Sequence, residues 1–297
     1  MVRGRFAPSP SGRMHLGNVF SALLAWLSAK SKGGQIVLRV EDLDPARSKP
    51  AYVEALLDDL KWLGLDWDER AEDQSHRGGA YEAALERLRQ LDLLYPCYCS
   101  RDQLHAASAP HASDGRIIYA GTCRNLTAED RAQRPPTRCL RVKVPDETVA
   151  FVDGLQGPQS LNLKAEWGDF IVRRADGVAA YQLAVVVDDA ACGVTEVVRG
   201  RDLLSSAPRQ KWLIETLGGR APDYCHAPLL TAAGGKLSKR LGSLSTQVLR
   251  RESSPEAVTG RLAFLCGLTE TDAPVTPREL LDGFSWDKIK TADIPLL

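Results

Sequence analysis

The chain carries no net charge: 38 lysines and arginines are matched by 38 aspartates and glutamates. That balance excludes a general cationic surface, so any RNA contact would rest on local patches. Candidate patches are Arg124, Arg131, Arg134, Arg138, Arg141 and Lys143 in the middle, and Lys236, Lys239, Arg240, Arg250 and Arg251 later. Long hydrophobic runs are also missing, and none approaches the roughly 18 to 20 apolar residues of a membrane span. Arg3, Arg5 and Arg13 ahead of the apolar stretch 19–29 superficially resemble a signal peptide. Two prolines and two glycines interrupt the approach, however, and no small-residue cleavage site precedes Lys30-Ser31-Lys32-Gly33-Gly34. An even cysteine framework is lacking too. Seven unevenly spaced cysteines do not make a secreted disulfide scaffold, and a reducing, cytoplasmic setting is expected. There is no internal repeat and no low-complexity tract.

What is present is enough for a sizeable core: 297 residues, 44% of them hydrophobic, fold as one large domain with an insertion, or as two. Residues 1–95 alternate strand-like and helix-like segments: a strand from Arg3 to Ala7, a helix from Leu16, a strand from Gln35 to Val40, and amphipathic helices at 51–63 and 81–94. This is the grammar of an α/β, doubly wound parallel sheet. The pattern breaks over 96–166 into short pieces rich in Pro, Arg and Asp, read as an insertion. It resumes over 167–240 with a strand at 169–173, the apolar run 181–187, a strand at 195–199 and a helix at about 206–217. The tail, 241–297, reads as mostly helical.

Two short elements carry the chemistry. Near the start, Pro8-Ser9-Pro10-Ser11-Gly12-Arg13-Met14-His15-Leu16-Gly17-Asn18 links a strand to a helix N-terminus, where free N–H groups and the helix dipole favour an anion. Far downstream, Ala233-Gly234-Gly235 leads into Lys236-Leu237-Ser238-Lys239-Arg240, a flexible loop bearing two lysines and a serine suited to a polyphosphate. Taken singly, either reads as an ordinary surface turn.

Their order and the sequence between them resemble the catalytic core of the glutamyl branch of the class I aminoacyl-tRNA synthetases over residues 1–240. The resemblance rests on Arg5-Phe6-Ala7-Pro8-Ser9-Pro10-Ser11-Gly12, on Leu38-Arg39-Val40-Glu41-Asp42-Leu43-Asp44, on Val186-Val187-Asp188-Asp189, and on Val197-Val198-Arg199-Gly200-Arg201-Asp202. It implies a Rossmann-like sheet that binds ATP and Mg²⁺, with His15, Gly17, Asn18, Lys236, Ser238 and Lys239 in catalysis. Of these, His15, Gly17 and Lys239 would hold ATP, and Gly17 would be required because a side chain there collides with the nucleotide. Both motifs depart from the family pattern: Asn18 stands where a second histidine is usual, and Leu237 and Arg240 replace Met and Ser. Asn still donates a hydrogen bond and Leu nearly preserves the volume of Met.

The resemblance also implies an L-glutamate pocket of Arg5, Phe6, Ala7, Pro8, Ser9, Glu41, Tyr181 and Arg199, placed at strand ends. Arg5 and Arg199 would take carboxylates, Glu41 and Tyr181 the ammonium. Guanidinium forks match carboxylates with paired hydrogen bonds and disfavour the neutral amide of glutamine. Read without the resemblance, Glu41 could instead be a surface acid in an ion network with Arg39, Asp42, Asp44 and Arg47. Activation needs no general base, because the attacking carboxylate is already ionised, and none is evident in the chain.

Cys97, Cys99 and Cys123 supply three thiolates for a structural zinc, which wants four ligands. Metal chemistry alone nominates His105, His111 or Cys139 as the fourth. The resemblance nominates Tyr119, because Tyr119-Ala120-Gly121-Thr122-Cys123-Arg124 is similar to a segment of the short glutamyl-type enzymes in which a phenolate completes the site. The stretch after Arg240 is too short for the anticodon-binding region of a full-length member. The resemblance is therefore to the short members, which attach glutamate to the queuosine base in the anticodon stem-loop of tRNA(Asp), after activation that needs no tRNA. Charging of tRNA(Glu) with a partner, a smaller nucleotidyltransferase of the same fold, and a non-catalytic RNA- or protein-binding paralogue are the alternatives. No membrane contact and a monomer are expected.

Overall fold

A computed structural model describes residues 1–100, 118–134, 136, 139–232, 235–236 and 245–296. Strand β1 (Arg3–Phe6) leaves through the proline-rich loop into helix α1 (Leu16–Lys30). His15 caps α1 from an extended conformation, and its backbone N–H reaches the Asn18 side chain, so the helix starts where the anion-favouring loop ends. Eleven residues of α1 are buried around most of its circumference, which makes the apolar stretch a central core helix. Strand β2 (Gln35–Leu38) pairs parallel with β1, helix α2 (Pro50–Trp62) follows, and the short β3 (Glu69–Arg70) pairs parallel with β2.

Helix α3 (Gly78–Gln90) stops earlier than the apolar spacing predicts. Asp92 takes φ 54°, a left-handed turn that ends the helix and releases Leu94 into strand β4 (Leu94–Cys97). This strand joins β5 (Cys139–Val142) in an antiparallel sheet, beside which β6 (Thr148–Asp153) and β7 (Gly157–Asn162) form a hairpin. The third strand of that sheet, β8 (Phe170–Arg173), corrects an expectation: it pairs antiparallel with β5 and does not resume the parallel layer. Its burial alternates, Phe170 and Val172 inward, as in a strand covered on one face. The apolar run after it is helix α4 (Tyr181–Ala191), so Tyr181 opens a helix and does not end a strand.

Strand β9 (Glu196–Gly200), helix α5 (Ala207–Thr216) and strand β10 (Asp223–Ala227) follow, with β10 parallel to β9. β9 lies beside β1: the Thr195 N–H donates to the Arg3 carbonyl at 2.9 Å, and Arg5 Nη1 donates to the Val198 carbonyl at 2.8 Å. Across the layer the strands therefore run β3, β2, β1, β9, β10. The chain leaves β1 toward one side and returns on the other, which opens a crevice at the switch.

Beyond β10, β11 (Leu230–Ala232) pairs with β12 (Gly235–Lys236). The tail carries α6 (Thr246–Glu252) and α7 (Pro255–Cys266), the latter capped by Ser254 and stopped by Gly267 at φ 90°. Turns dominate from there to Lys290, so the tail is less helical than its sequence predicts. Strand β13 (Ile294–Pro295) returns to pair parallel with β11. One core surrounds α1 and takes Val258 and Leu262 from the tail; a second joins α3, α4 and α5 to the inserted sheet through Leu85, Leu183, Leu213 and Val172. Among the described residues no helix is long and apolar enough to cross a membrane.

Candidate active site

A cleft of about 510 Å³ opens at the switch between β1 and β9. Arg5, Phe6, Ala7, Pro8, Ser9, His15, Gly17, Asn18, Glu41, Tyr181 and Arg199 all line it. Of the other nominated residues, Ser238 and Lys239 lie outside the described residues, and Lys236 is placed by its backbone, in β12.

At one wall stands the N-terminus of α1. His15 Nδ1 accepts from the Gly17 N–H at 3.1 Å, so the neutral ring carries its proton on Nε2 as a donor. A Cβ at Gly17 would sit 3.0 Å from His15 Cε1 and 3.1 Å from Nδ1. The chain thus supplies its own reason for glycine here, the seat of the His15 ring.

At the base, buried charges alternate. Arg39, fully buried, donates through Nη1 to Asp189 at 2.6 Å and through Nη2 to Glu41 at 3.0 Å. Burial alone would pull this guanidinium down, but Asp189 and Glu41 together hold it above its ordinary value. Burial pushes the Glu41 carboxyl up, against the pull of Arg39. Arg5 is drawn below its ordinary value by burial, with Asp189 opposing; its Nε has no hydrogen-bond partner and lies 3.9 Å from Asp189. Asp188, next in the chain, accepts from Gln74 at 2.7 Å, Arg77 at 2.6 Å and the Tyr81 hydroxyl at 2.9 Å, tying α3 and its approach to α4. The alternative surface network around Glu41 does not form: Arg47 pairs with Asp44, Asp42 bonds Ser75, and among the described residues only Arg39 forms an ion pair with Glu41.

Arg199 faces the cleft from β9 with its guanidinium held on three sides. Nε donates to His226 Nε2 at 3.0 Å, Nη1 to Gln210 Oε1 at 2.7 Å and Nη2 to the Leu203 carbonyl at 3.3 Å. Behind it, His226 and Asp153 are fully buried and share a hydrogen bond of 2.5 Å at Nδ1. Asp153 also accepts from the N–H groups of Leu155, Gln156 and His226.

The segment that follows the lysine loop is joined to the α1 loop. Ser245 bridges to His15, the Thr246 N–H donates to the Met14 carbonyl at 2.9 Å, and the Thr246 hydroxyl donates to the buried Asp59. Arg13 and Arg250 flank the same carboxylate at 3.5 and 3.2 Å.

A second cluster sits at the end of β4. The sulfurs of Cys97, Cys99 and Cys123 lie within 4.8 Å of one another, with Cys99 and Cys123 at 3.6 Å. Tetrahedral zinc with bonds of about 2.3 Å puts its sulfurs about 3.8 Å apart, so the three thiols fit that ion. Hydrogen bonding from Cys139 leads the influences that bring the Cys97 thiol down to about 4, favouring the thiolate that a metal takes. The Tyr119 hydroxyl lies 3.5 Å from Cys97 and 3.9 Å from Cys99, while Cys139 faces Cys97 across β4 and β5. Gly168, at φ 68°, lets the Tyr119 backbone approach; a Cβ there would meet the Tyr119 carbonyl at 2.3 Å. His105 and His111 lie outside the described residues. All seven cysteines are free thiols.

Sequence reasoning missed Arg39 as the hub of the cleft floor, and it missed the line from Asp153 through His226. The signal for the former was present: two adjacent acids ending an apolar helix, Asp188 and Asp189, require buried cations. No local signal marks His226. Three of the six basic residues nominated over 124–143 are spent internally, Arg131 and Arg134 are exposed, and Arg138 lies outside the described residues. Arg141 is buried, donates to the Asp169 carbonyl and lies 3.7 Å over the Tyr119 ring, Arg124 pairs with Asp169, and Lys143 pairs with Asp92.

Residues 1–288 match the model of the tRNA synthetases class I (E and Q), catalytic domain. The chain is 50% identical to a glutamyl-Q tRNA(Asp) synthetase of Symbiobacterium thermophilum, over 97% of this chain and 94% of that one. It is 46% identical to a glutamate–tRNA ligase 2 of Alkalilimnicola ehrlichii, over 89% of this chain and 58% of that protein. A crystal structure of a glutamate tRNA ligase from Elizabethkingia meningosepticum, in complex with its amino acid, superposes with a TM-score of 0.84 at 28% identity, covering 100% of this chain and 67% of that one.

Proposed function

The chain belongs to the E and Q class of class I tRNA synthetases and, within it, to the glutamyl-Q tRNA(Asp) synthetases, and from that premise we propose that it activates L-glutamate with ATP, without tRNA, and passes the glutamyl group to the queuosine base at the anticodon wobble position of tRNA(Asp). The observation that carries this reading is one cleft in which a helix N-terminus faces two buried arginines and Glu41. The helix end and the His15 Nε2 proton meet the phosphates of ATP, which arrives with Mg²⁺. An oxygen of the glutamate α-carboxylate bonds to the α-phosphorus as the bond to the leaving pyrophosphate breaks. Lys236, Ser238 and Lys239 stabilise the charge that gathers on that leaving group. Arg5 and Arg199 take the carboxylates, Glu41 and Tyr181 the ammonium, and Phe6 to Ser9 wall the side chain. In the second step the queuosine base attacks the glutamyl carbonyl and AMP leaves.

Cys97, Cys99, Cys123 and Tyr119 are assigned as ligands of one structural zinc, which would crosslink the end of β4 to the loop around residue 121. Burial and Cys97 hold the Tyr119 phenol above its ordinary value, so it would release its proton to solvent only where a dication takes up the phenolate oxygen. The protein is assigned as a cytoplasmic monomer.

The test is glutamate-dependent exchange of pyrophosphate into ATP, first without RNA and then with purified tRNA. Exchange without RNA supports the proposal. The likeness to a glutamate–tRNA ligase favours one second reading, charging of tRNA(Glu), and exchange only with that tRNA would select it. Silence under both conditions would leave a non-catalytic RNA-binding paralogue.

A further inference from the structure

We propose that His226 is the positioning residue of the glutamate pocket: oriented by Asp153, it presents a lone pair to Arg199 and thereby fixes the guanidinium that receives the substrate carboxylate. The inference rests on the pocket assigned above and adds residues that lie behind it.

A guanidinium has five N–H donors. Three of them are spent inside the chain, on His226 Nε2, Gln210 Oε1 and the Leu203 carbonyl. Two remain, one on each terminal nitrogen, which is the number that a carboxylate can take in a paired contact. The direction of those two is set by where Nε is held, and Nε is held by an imidazole. For His226 Nε2 to accept, the ring must be neutral with its proton on Nδ1, where Asp153 accepts it at 2.5 Å. Asp153 has no freedom to turn, because three backbone N–H groups also donate to it. The Tyr224 ring stacks on the imidazole at 6.1 Å and 15°, fixing its plane. The result is a rigid series, backbone to Asp153 to His226 to Arg199, that ends at the cleft.

The groups facing His226 are Asp153 from β6, Arg199 from β9, Arg5 from β1 and Tyr224 from β10. Burial leads in holding the imidazole below its ordinary value; Asp153 opposes, and Arg199 reinforces. The ring is therefore neutral in the fold at neutral pH. Protonation would replace the lone pair on Nε2 with a donor aimed at another donor and set two cations against each other. Glutamate affinity should fall as pH drops through the depressed value, and fold stability with it. The unfolded chain binds the proton first, from about pH 6.5 downward.

The experiment is calorimetric titration of the full-length protein with glutamate and, separately, with ATP, for wild type and His226→Asn, His226→Gln and Arg199→Ala. Asn can keep the contact with Asp153 but offers nothing at the Nε2 position; Gln can place an oxygen there. A glutamate Kd raised about tenfold in His226→Asn, restored to within about threefold in His226→Gln, with ATP affinity unmoved in both, is the expected result. An unchanged glutamate Kd in His226→Asn, or equal losses for glutamate and ATP, would overturn the positioning role. Should His226→Asn fail to fold, Asp153→Asn takes its place: its amide N–H turned toward Nδ1 would put the ring proton on Nε2 against Arg199, and an unchanged glutamate Kd there would overturn the positioning role. Arg199→Ala separates the layers. If it binds glutamate as wild type does, the pocket assignment fails; if it loses glutamate while His226→Asn does not, only the positioning role fails.

Discussion

Gly17 illustrates how a single hydrogen atom in place of a methyl sets the chemistry of the cleft. Its N–H fixes the His15 tautomer, and its missing Cβ leaves room for the ring at 3.0 Å. A methyl would displace the imidazole by a few tenths of an ångström without disturbing α1, because alanine suits a helix better than glycine. Gly17→Ala should therefore fold with an unchanged or slightly higher Tm yet lose about tenfold to a hundredfold in pyrophosphate exchange, as a misdirected transition-state donor does. Near-wild-type exchange would mean that His15 does not touch the reacting phosphates. The buried acids at the base of the cleft have a comparable logic. Asp189 and Glu41 hold Arg39, and Arg39 prevents either acid from being an uncompensated buried charge.

Between elements, the connection that matters most joins the α1 loop to the segment after the lysine loop. Thr246 meets Met14 and Asp59 at once, so α6, α2 and the His15 loop share one buried carboxylate. Thr246→Val keeps the shape and removes the hydroxyl, leaving Asp59 to the two arginines. A loss of about 1.5–3 kcal/mol in urea unfolding is expected, with a larger proportional fall in exchange activity than in ATP binding. A stability loss below about 0.5 kcal/mol would show that the hydroxyl contributes little to joining these elements. Much of this level was legible in the chain. The strand, loop and helix at the start were readable because Pro8, Pro10 and the apolar periodicity of α1 mark them directly. Strand β8 was misread because its four residues carry no sign of which sheet they join; pairing with β5 is decided by contacts far away in sequence. The Asp59 link and His226 were invisible for the same reason, each depending on partners more than seventy residues distant. The cleft residues were legible only through a family's pattern, and their convergence became visible only in three dimensions.

At the scale of the whole molecule, the inserted sheet is joined to the second core by Val142 and Val172 and carries the thiol cluster at its far end. Its local fold should therefore depend on metal while the parallel layer does not. Cys123→Ser should release about one zinc per chain, measured by elemental analysis, and leave ATP affinity within about threefold. Unchanged metal content would remove Cys123 from the ligand set, and collapse of ATP binding would show that the two parts are not separable.

The depth of the arginines has a consequence for how the protein responds to its solvent. Arg5 and Arg199 are only 6% and 5% exposed, so mobile ions cannot crowd around them as they do around surface charges. An RNA held by exposed lysines and arginines releases counterions on binding and weakens steeply as salt is added. Glutamate affinity should thus change less than about threefold between 50 and 300 mM potassium chloride, while tRNA affinity falls by more than about tenfold over the same range. Raising ionic strength would then act as a selective switch, uncoupling amino-acid activation from transfer in one tube of unmodified protein.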